Sequence, residues 1–288
     1  MTEQAANLLR SWLLRQLSMP SAEWLTEQLE IIQGDPSDRN LHILLGMIPR
    51  RLGKDDLDLN AVDLAEADAV RSGWDPNEWS VDVAARVLAL LGLASDGVSF
   101  ARCFSDLCGS ADIVEAIALY SGLPLYPSPE LLEPQAAEGV RTNMRAEFEA
   151  VAHRNPFPRE QFDENRWNHM LLKALFIGST LAPIQGLDER ANPELARILC
   201  DYAHERWAAG RMVTPELWRC VGPFAEGEAL LDLERVLTTG EEVERRAAAL
   251  AVTSNPSKDA RALQGHLHVF QSAISSGALT WNSLTHKL

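Results

Sequence analysis

Apolar residues recur at intervals of three and four along almost the whole chain, and alternating runs rich in Val, Ile and Thr are missing. That period belongs to amphipathic helices rather than half-buried strands, so the pattern predicts an all-α fold. The spacing predicts helices over about 3–17, 21–33, 38–52, 60–72, 78–93, 98–108, 110–121, 129–153, 160–178, 192–209, 214–222, 226–238, 241–253 and 257–275. Short helices with short joins predict stacked antiparallel helix pairs, a HEAT-like array or an irregular α-solenoid, although no fixed-period repeat is legible.

Punctuation fits this reading. Ser21 and Ser110 stand where N-caps are wanted, Asp163 can cap the helix through Trp167, and Gly34, Gly53, Gly73 and Gly122 stand at helix ends. Pro193 and Pro215 suit a first helical turn, where a missing donor costs nothing. The least helical stretch carries Pro124, Pro127, Pro129 and Pro134, and a second interruption falls at Asn155 to Pro158. The expected organisation is one helical domain over 1–288, subdividing into an acidic amino-terminal region over 1–128, a core over 129–225 and closing helices over 226–288.

Within this frame, several polar residues of the block Glu138 to Phe224 occupy positions that helix patterning gives to apolar ones. On a wheel through Asn165 to Gly178, Trp167, Met170, Leu171 and Ala174 form a buried stripe that Leu172, Leu175 and Phe176 continue, and Asn168 falls among them. A buried Asn must find partners or cost roughly 1–3 kcal/mol, so Asn168 either joins two helices or faces a ligand. Lys173, the only lysine of the block, stands beside Phe176 and Ile177, which suggests a partly desolvated ammonium or a stem snorkelling to water. In the next helix Leu195, Ile198, Leu199 and Tyr202 make a stripe into which Arg206 points, where it would need a carboxylate or an anion. The other face carries Asp201 and His204 three residues apart, a spacing open to a shared metal or to a plain surface pair, with Glu205 beside them.

Charge narrows the partners. The net charge is −15, with −13 of it in residues 1–150, which argues against nucleic acid or an anionic membrane as principal partner. The block holds ten Arg, whose planar forks suit a carboxylate or phosphate, so an anionic small molecule is conceivable alongside structural ion pairs. Cys103, Cys108, Cys200 and Cys220 show neither a zinc nor a disulfide spacing. No hydrolase elbow, phosphate-cradling glycine loop or His-Glu-x-x-His pattern appears, and no cofactor is implied. Arg10 and Arg15 interrupt the apolar amino-terminal run, so it reads as an amphipathic helix of a cytoplasmic protein.

The strings Glu138-Gly139-Val140-Arg141-Thr142-Asn143-Met144, Asn155-Pro156-Phe157-Pro158, Trp167-Asn168 with Lys173, Gly186-Leu187-Asp188, Asp201-Tyr202-Ala203-His204-Glu205-Arg206-Trp207, and Leu217-Trp218-Arg219 with Gly222-Pro223-Phe224 resemble the EboA family of metabolite traffic proteins. Phe157 departs from the Tyr expected there. The resemblance implies a role in moving a secondary-metabolite precursor, such as that of scytonemin, toward the periplasm. It implies as partners a UbiA-like prenyltransferase, a sugar-phosphate cyclase and TIM-barrel proteins of one gene cluster. It carries over no catalytic residues.

Two readings follow. In one, the chain is a non-catalytic protein whose helices bind a metabolite or a pathway protein, with Arg141, Asn143, Asn155, Trp167, Asn168, Lys173, Asp201, Tyr202, His204 and Arg206 lining the site or securing it. In the other, Asp201, His204, Glu205 and Lys173 supply acid, base or metal chemistry on the precursor. The first predicts that Arg206 and Asn168 converge on one cavity; the second requires titratable groups of separate helices within hydrogen-bond reach.

Overall fold

The computed structural model describes residues 1–35, 37–93 and 96–285, and every regular element among them is helical. An isolated antiparallel bridge joins Asp56 and Ser80. The chain forms two compact units, Met1–Phe162 and Asp163–Leu288.

The first unit holds α1 (Thr2–Gln16), α2 (Met19–Gly34), α3 (Asp38–Leu52), α4 (Ala61–Val70), α5 (Val81–Leu91), α6 (Gly97–Ser110), α7 (Ile113–Ser121), α8 (Pro129–Gly139), α9 (Arg145–Ala152) and α10 (Phe157–Gln161). Its axis is α5, buried from Val81 to Leu90 and flanked by α1, α3 and α7. A helix apolar on every side belongs in an interior. It carries one buried ion pair, Asp82 with Arg86 at 2.6 Å, and the Arg86 guanidinium also reaches the Leu45 carbonyl at 3.3 Å. Both charges are thus partnered, as burial demands.

The second unit holds α11 (Glu164–Phe176), α12 (Pro193–Ala208), α13 (Leu217–Val221), α14 (Glu228–Thr239), α15 (Glu242–Ser254), α16 (Lys258–Ala262), α17 (Gln271–Ser275) and α18 (Trp281–Thr285). Here α15 is the hub, packing on α13, α14 and α18. Four of its buried residues are alanines, which lets neighbouring backbone approach closely: a Cβ added to Gly222 would lie 2.6 Å from Cα of Ala251.

Several sequence expectations need correction. The helix over 129–153 is two, broken after Gly139, whose missing side chain admits Tyr120 and Val151 at distances a Cβ could not tolerate. Residues 160–178 and 257–275 are likewise divided, and α18 adds a helix beyond the expected set. Ser18, not Ser21, caps α2, and Asp112, not Ser110, caps α7, each accepting from backbone N–H groups of the first turn. Asp163 and Asn192 cap α11 and α12. Gly53 ends α3 in the positive-φ conformation, whereas Gly122 follows α7 with ordinary helical angles. Among the described residues no helix is long and apolar enough to cross a membrane.

Candidate functional site

The polar residues singled out on α11 and α12 mostly hold the second unit together. Asn168 is 2% exposed and exchanges two amide hydrogen bonds with Asn192, donating at 3.2 Å and accepting at 2.9 Å. Asn192 also accepts from Leu195 N–H, so one pair caps α12 and ties it to α11. Of the two roles open to Asn168, the structure shows the joining of helices. Tyr202 donates its hydroxyl to the Leu175 carbonyl at 3.2 Å, a second tie between the same helices. Trp167 is sealed beneath the Arg190 guanidinium, 4.9 Å from its ring. Burial lowers the pKa of Arg190.

Arg206 does not enter the core. It is half-buried and donates to the Met212 carbonyl at 3.0 Å, fastening the turn that follows α12. The apolar stripe moves to Ala196, Leu199, Cys200 and Ala203, which leaves Tyr202 and Arg206 at its edge. Arg206 and Asn168 also fail to converge: Asn168 meets the N-cap of α12, and Arg206 lies fourteen residues further, about 21 Å along the axis. Phe176, expected to be buried, is 72% exposed, and the Lys173 ammonium lies 5.7 Å from its ring.

Asp201 and His204 go separate ways. Asp201 pairs with Arg197 at 2.7 Å on the exposed face. His204 places Nε2 2.7 Å from the Asp232 carboxylate of α14, with the imidazole 37% exposed and Asp232 largely covered. Trp207 stacks beside His204 and Trp218, centroids 5.9 Å away in each case, and the Arg235 guanidinium lies 4.3 Å over its ring. The result is an outward imidazole fixed by a carboxylate and bordered by an aromatic-cation stack. Asp232, one element beyond the resembling strings, carried no local signal in the sequence.

The long join from 177 to 192 is pinned from α13 and the turn before it. Glu216, 4% exposed, accepts from Leu181 N–H at 2.9 Å and Ala182 N–H at 3.1 Å. Arg219 clasps Asp188 with two bonds of 2.7 Å, which hold the Asp188 carboxyl below its usual range. The thiols of Cys200 and Cys220 are pushed up to about 12 by burial, so neither is a thiolate near neutral pH.

The remaining candidates lie in the first unit. Arg141 pairs with Glu138 on the surface, and Asn143 sits in the turn between α8 and α9. Asn155, 3% exposed, donates to the carbonyls of Tyr120 and Ala150 at 3.2 Å and accepts from Phe157 N–H at 3.0 Å. It also borders a cavity of about 210 Å³ with His153, Arg154, Glu149, Asp75 and Glu78. Arg154 adopts a left-handed φ of 49° and pairs with Glu78 at 2.7 Å and Asp75 at 3.5 Å. Among the described residues no group of three or more His, Cys, Asp or Glu is placed to hold a metal ion.

No curated protein and no solved structure matches the chain. A family profile described as metabolite traffic protein EboA does match, over residues 5–222. This span contains Asn168 and Asn192 of the α11–α12 junction and His204 with Trp207, though not Asp232 or Arg235, and on the extent of that match the chain belongs to the EboA family.

Proposed function

We propose that this chain is a non-catalytic cytoplasmic protein of a metabolite-precursor export pathway, binding the metabolite or a pathway protein. The observation that carries this reading is the outward face of α12, where His204, fixed by Asp232, stands beside Trp207 and its stacked Arg235. Such a face offers a hydrogen-bonding imidazole and an aromatic plate already held in place, so little ordering is needed on binding. Family membership supports the metabolite role. The partners would be the prenyltransferase, cyclase and TIM-barrel proteins that the resemblance implies.

One observation favours a second reading. His204 and Asp232 come from separate helices and lie within hydrogen-bond reach, as a general base and its orienting carboxylate would. Asp201 and Lys173 take no part in that pair, so an enzyme would rest on His204 with Asp232 rather than on the set chosen from sequence.

Native mass spectrometry of the protein purified from cells making the pathway product tests the first reading. We expect a retained small molecule or a pathway protein, lost in His204→Ala and Trp207→Ala variants that keep the wild-type melting temperature. An apo, solitary mass from producing cells, with both variants sustaining full output, would overturn it. Precursor turned over by the purified wild type and not by Asp232→Asn would establish the enzyme instead.

A further inference from the structure

We propose that the groove walled by α15, α16, α17 and their joins is a binding site for an amphiphilic organic anion, whose carboxylate or phosphate is met by Arg261. The inference rests on the metabolite-binding reading and adds a ligand class and a place. The site lies beyond the residues matched by the family profile.

The cavity measures about 550 Å³, inside the roughly 300–1,000 Å³ usual for small-molecule sites. Its apolar floor is Val252, Ala260, Leu267 and Ile274, of which the first three are buried. Arg261 is the single charged side chain on its wall, and it has no ion-pair partner among the described residues. In a chain of net charge −15, a cation placed so is conspicuous. Gln264, Gln271 and Ser275 complete the rim, their side chains likewise without protein partners among the described residues.

The wall is built rather than frayed. Asn255 donates to the carbonyls of Gly222 at 2.7 Å and Ala225 at 2.9 Å, and accepts from Ser257 N–H at 2.9 Å. Ser257 then caps α16 by accepting from Ala260 N–H at 3.1 Å, at the start of the short helix that brings Arg261 to the same cavity as Val252 and Thr253. A guanidinium fork at the rim of a groove of mixed lining, with apolar surface open at Pro256 and Ile274, suits an anion carried on an apolar body: the fork takes two oxygens, and the body lies on those two residues. Carboxylate and phosphate share that chemistry, and the probes below separate them.

The test is an NMR titration of the ¹⁵N-labelled full chain with 2-naphthoate, 2-naphthyl phosphate and the uncharged 2-naphthylmethanol. At least one anion should shift the amides of Thr253, Gln264 and Gln271 along a saturable curve, about tenfold or more tighter than the alcohol, and Arg261→Gln should remove that advantage. The tighter anion names the headgroup. Because Arg261 is exposed on a short helix, the variant should keep the wild-type spectrum elsewhere. Equal binding of the alcohol, an unchanged affinity in Arg261→Gln, or no saturable shift at millimolar probe would overturn the proposal. If it fails while a metabolite retained by the native protein is lost with His204→Ala, only this site falls; if an anion binds through Arg261 while the His204 and Trp207 variants change nothing, only the assignment of the α12 face falls.

Discussion

Asn155 and Asn255 stand one hundred residues apart, in different units, and do the same job. Each follows a helix, precedes a proline, donates to two main-chain carbonyls and accepts from the N–H two residues on. Gly122 and Gly222 precede them by the same interval, 122 to 155 and 222 to 255; Gly122 leads into a short 3-10 turn and Gly222 is the first residue of one. The surroundings then diverge. After Asn155 comes Phe157, 1% exposed and edge-on to Phe162, and the adjoining cavity is about 210 Å³ with its arginine neutralised by Asp75 and Glu78. After Asn255 comes Ser257, which commits its side chain to a cap, and the adjoining cavity is about 550 Å³ with Arg261 unpaired among the described residues. One backbone-locking device therefore closes a core where an aromatic follows it and holds a groove open where a small polar residue does.

The largest effects should come from removing the device itself. Asn155→Ala would strand two carbonyls and an N–H at a site 3% exposed, and we expect a loss of about 4 kcal/mol, since each orphaned buried group costs roughly 1–3 kcal/mol. Asn255→Ala should cost about half as much, because the wider cavity lets water reach the freed groups. Urea unfolding followed by hydrogen exchange within each unit reads both losses; equal losses, or the reverse order, would break the contrast between closed and open surroundings.

Next come the paired glycines. A methyl at Gly222 would meet Ala251 backbone at 2.6 Å, which cannot yield without displacing α15, so Gly222→Ala should cost about 3 kcal/mol. At Gly122 the obstacle is the Tyr126 side chain, whose hydroxyl occupies the space a methyl would take. The Tyr126 ring is 1% exposed between Phe100 and Phe104 and can yield only by disturbing them, so Gly122→Ala should cost about 2 kcal/mol, with altered near-ultraviolet circular dichroism from the moved tyrosine. A costlier change at Gly122 would mean that the first unit is the more rigid of the two.

The features legible in the sequence are those decided by local pattern. Helix class followed from the three-four period, the α12 start from Pro193, and the joining role open to Asn168 from its place among apolar neighbours. Family membership was legible in short strings of the block. Arg206 misled because a wheel assumes that one stripe stays covered along the whole helix, whereas packing on α12 rotates toward Ala203 before its last turn. The break after Gly139 depends on Tyr120 and Val151, residues with no sequence proximity to it. Asp232, Glu216 and Arg261 were missed for the same reason: a lone charge on a helix face resembles any solvated one until the partner, or its lack, is known.

The smallest predicted effect concerns how each unit holds a carboxylate in an arginine fork. In the first, Asp63 is 4% exposed, accepts from Arg15 at 2.8 and 3.0 Å and also from Asn60 N–H. In the second, Asp188 meets Arg219 with two bonds of 2.7 Å, but its side chain is 66% exposed. The arginine hydrogen bond is in each case the main cause that holds the carboxyl below its ordinary value. A depressed folded pKa stabilises the folded form above the unfolded value of about 4, and that stabilisation is lost as pH falls through the folded value. Solvent screening at Asp188 limits its share to about 0.5 kcal/mol, whereas covered Asp63 should contribute more. Comparing urea midpoints at pH 7 and pH 3, Asp63→Asn should remove a measurable share of the acid loss and Asp188→Asn only a trace. If Asp188→Asn removed the larger share, the join from 177 to 192 would depend on its surface clasp more than on the buried Glu216, and the second unit would be held from outside rather than from within.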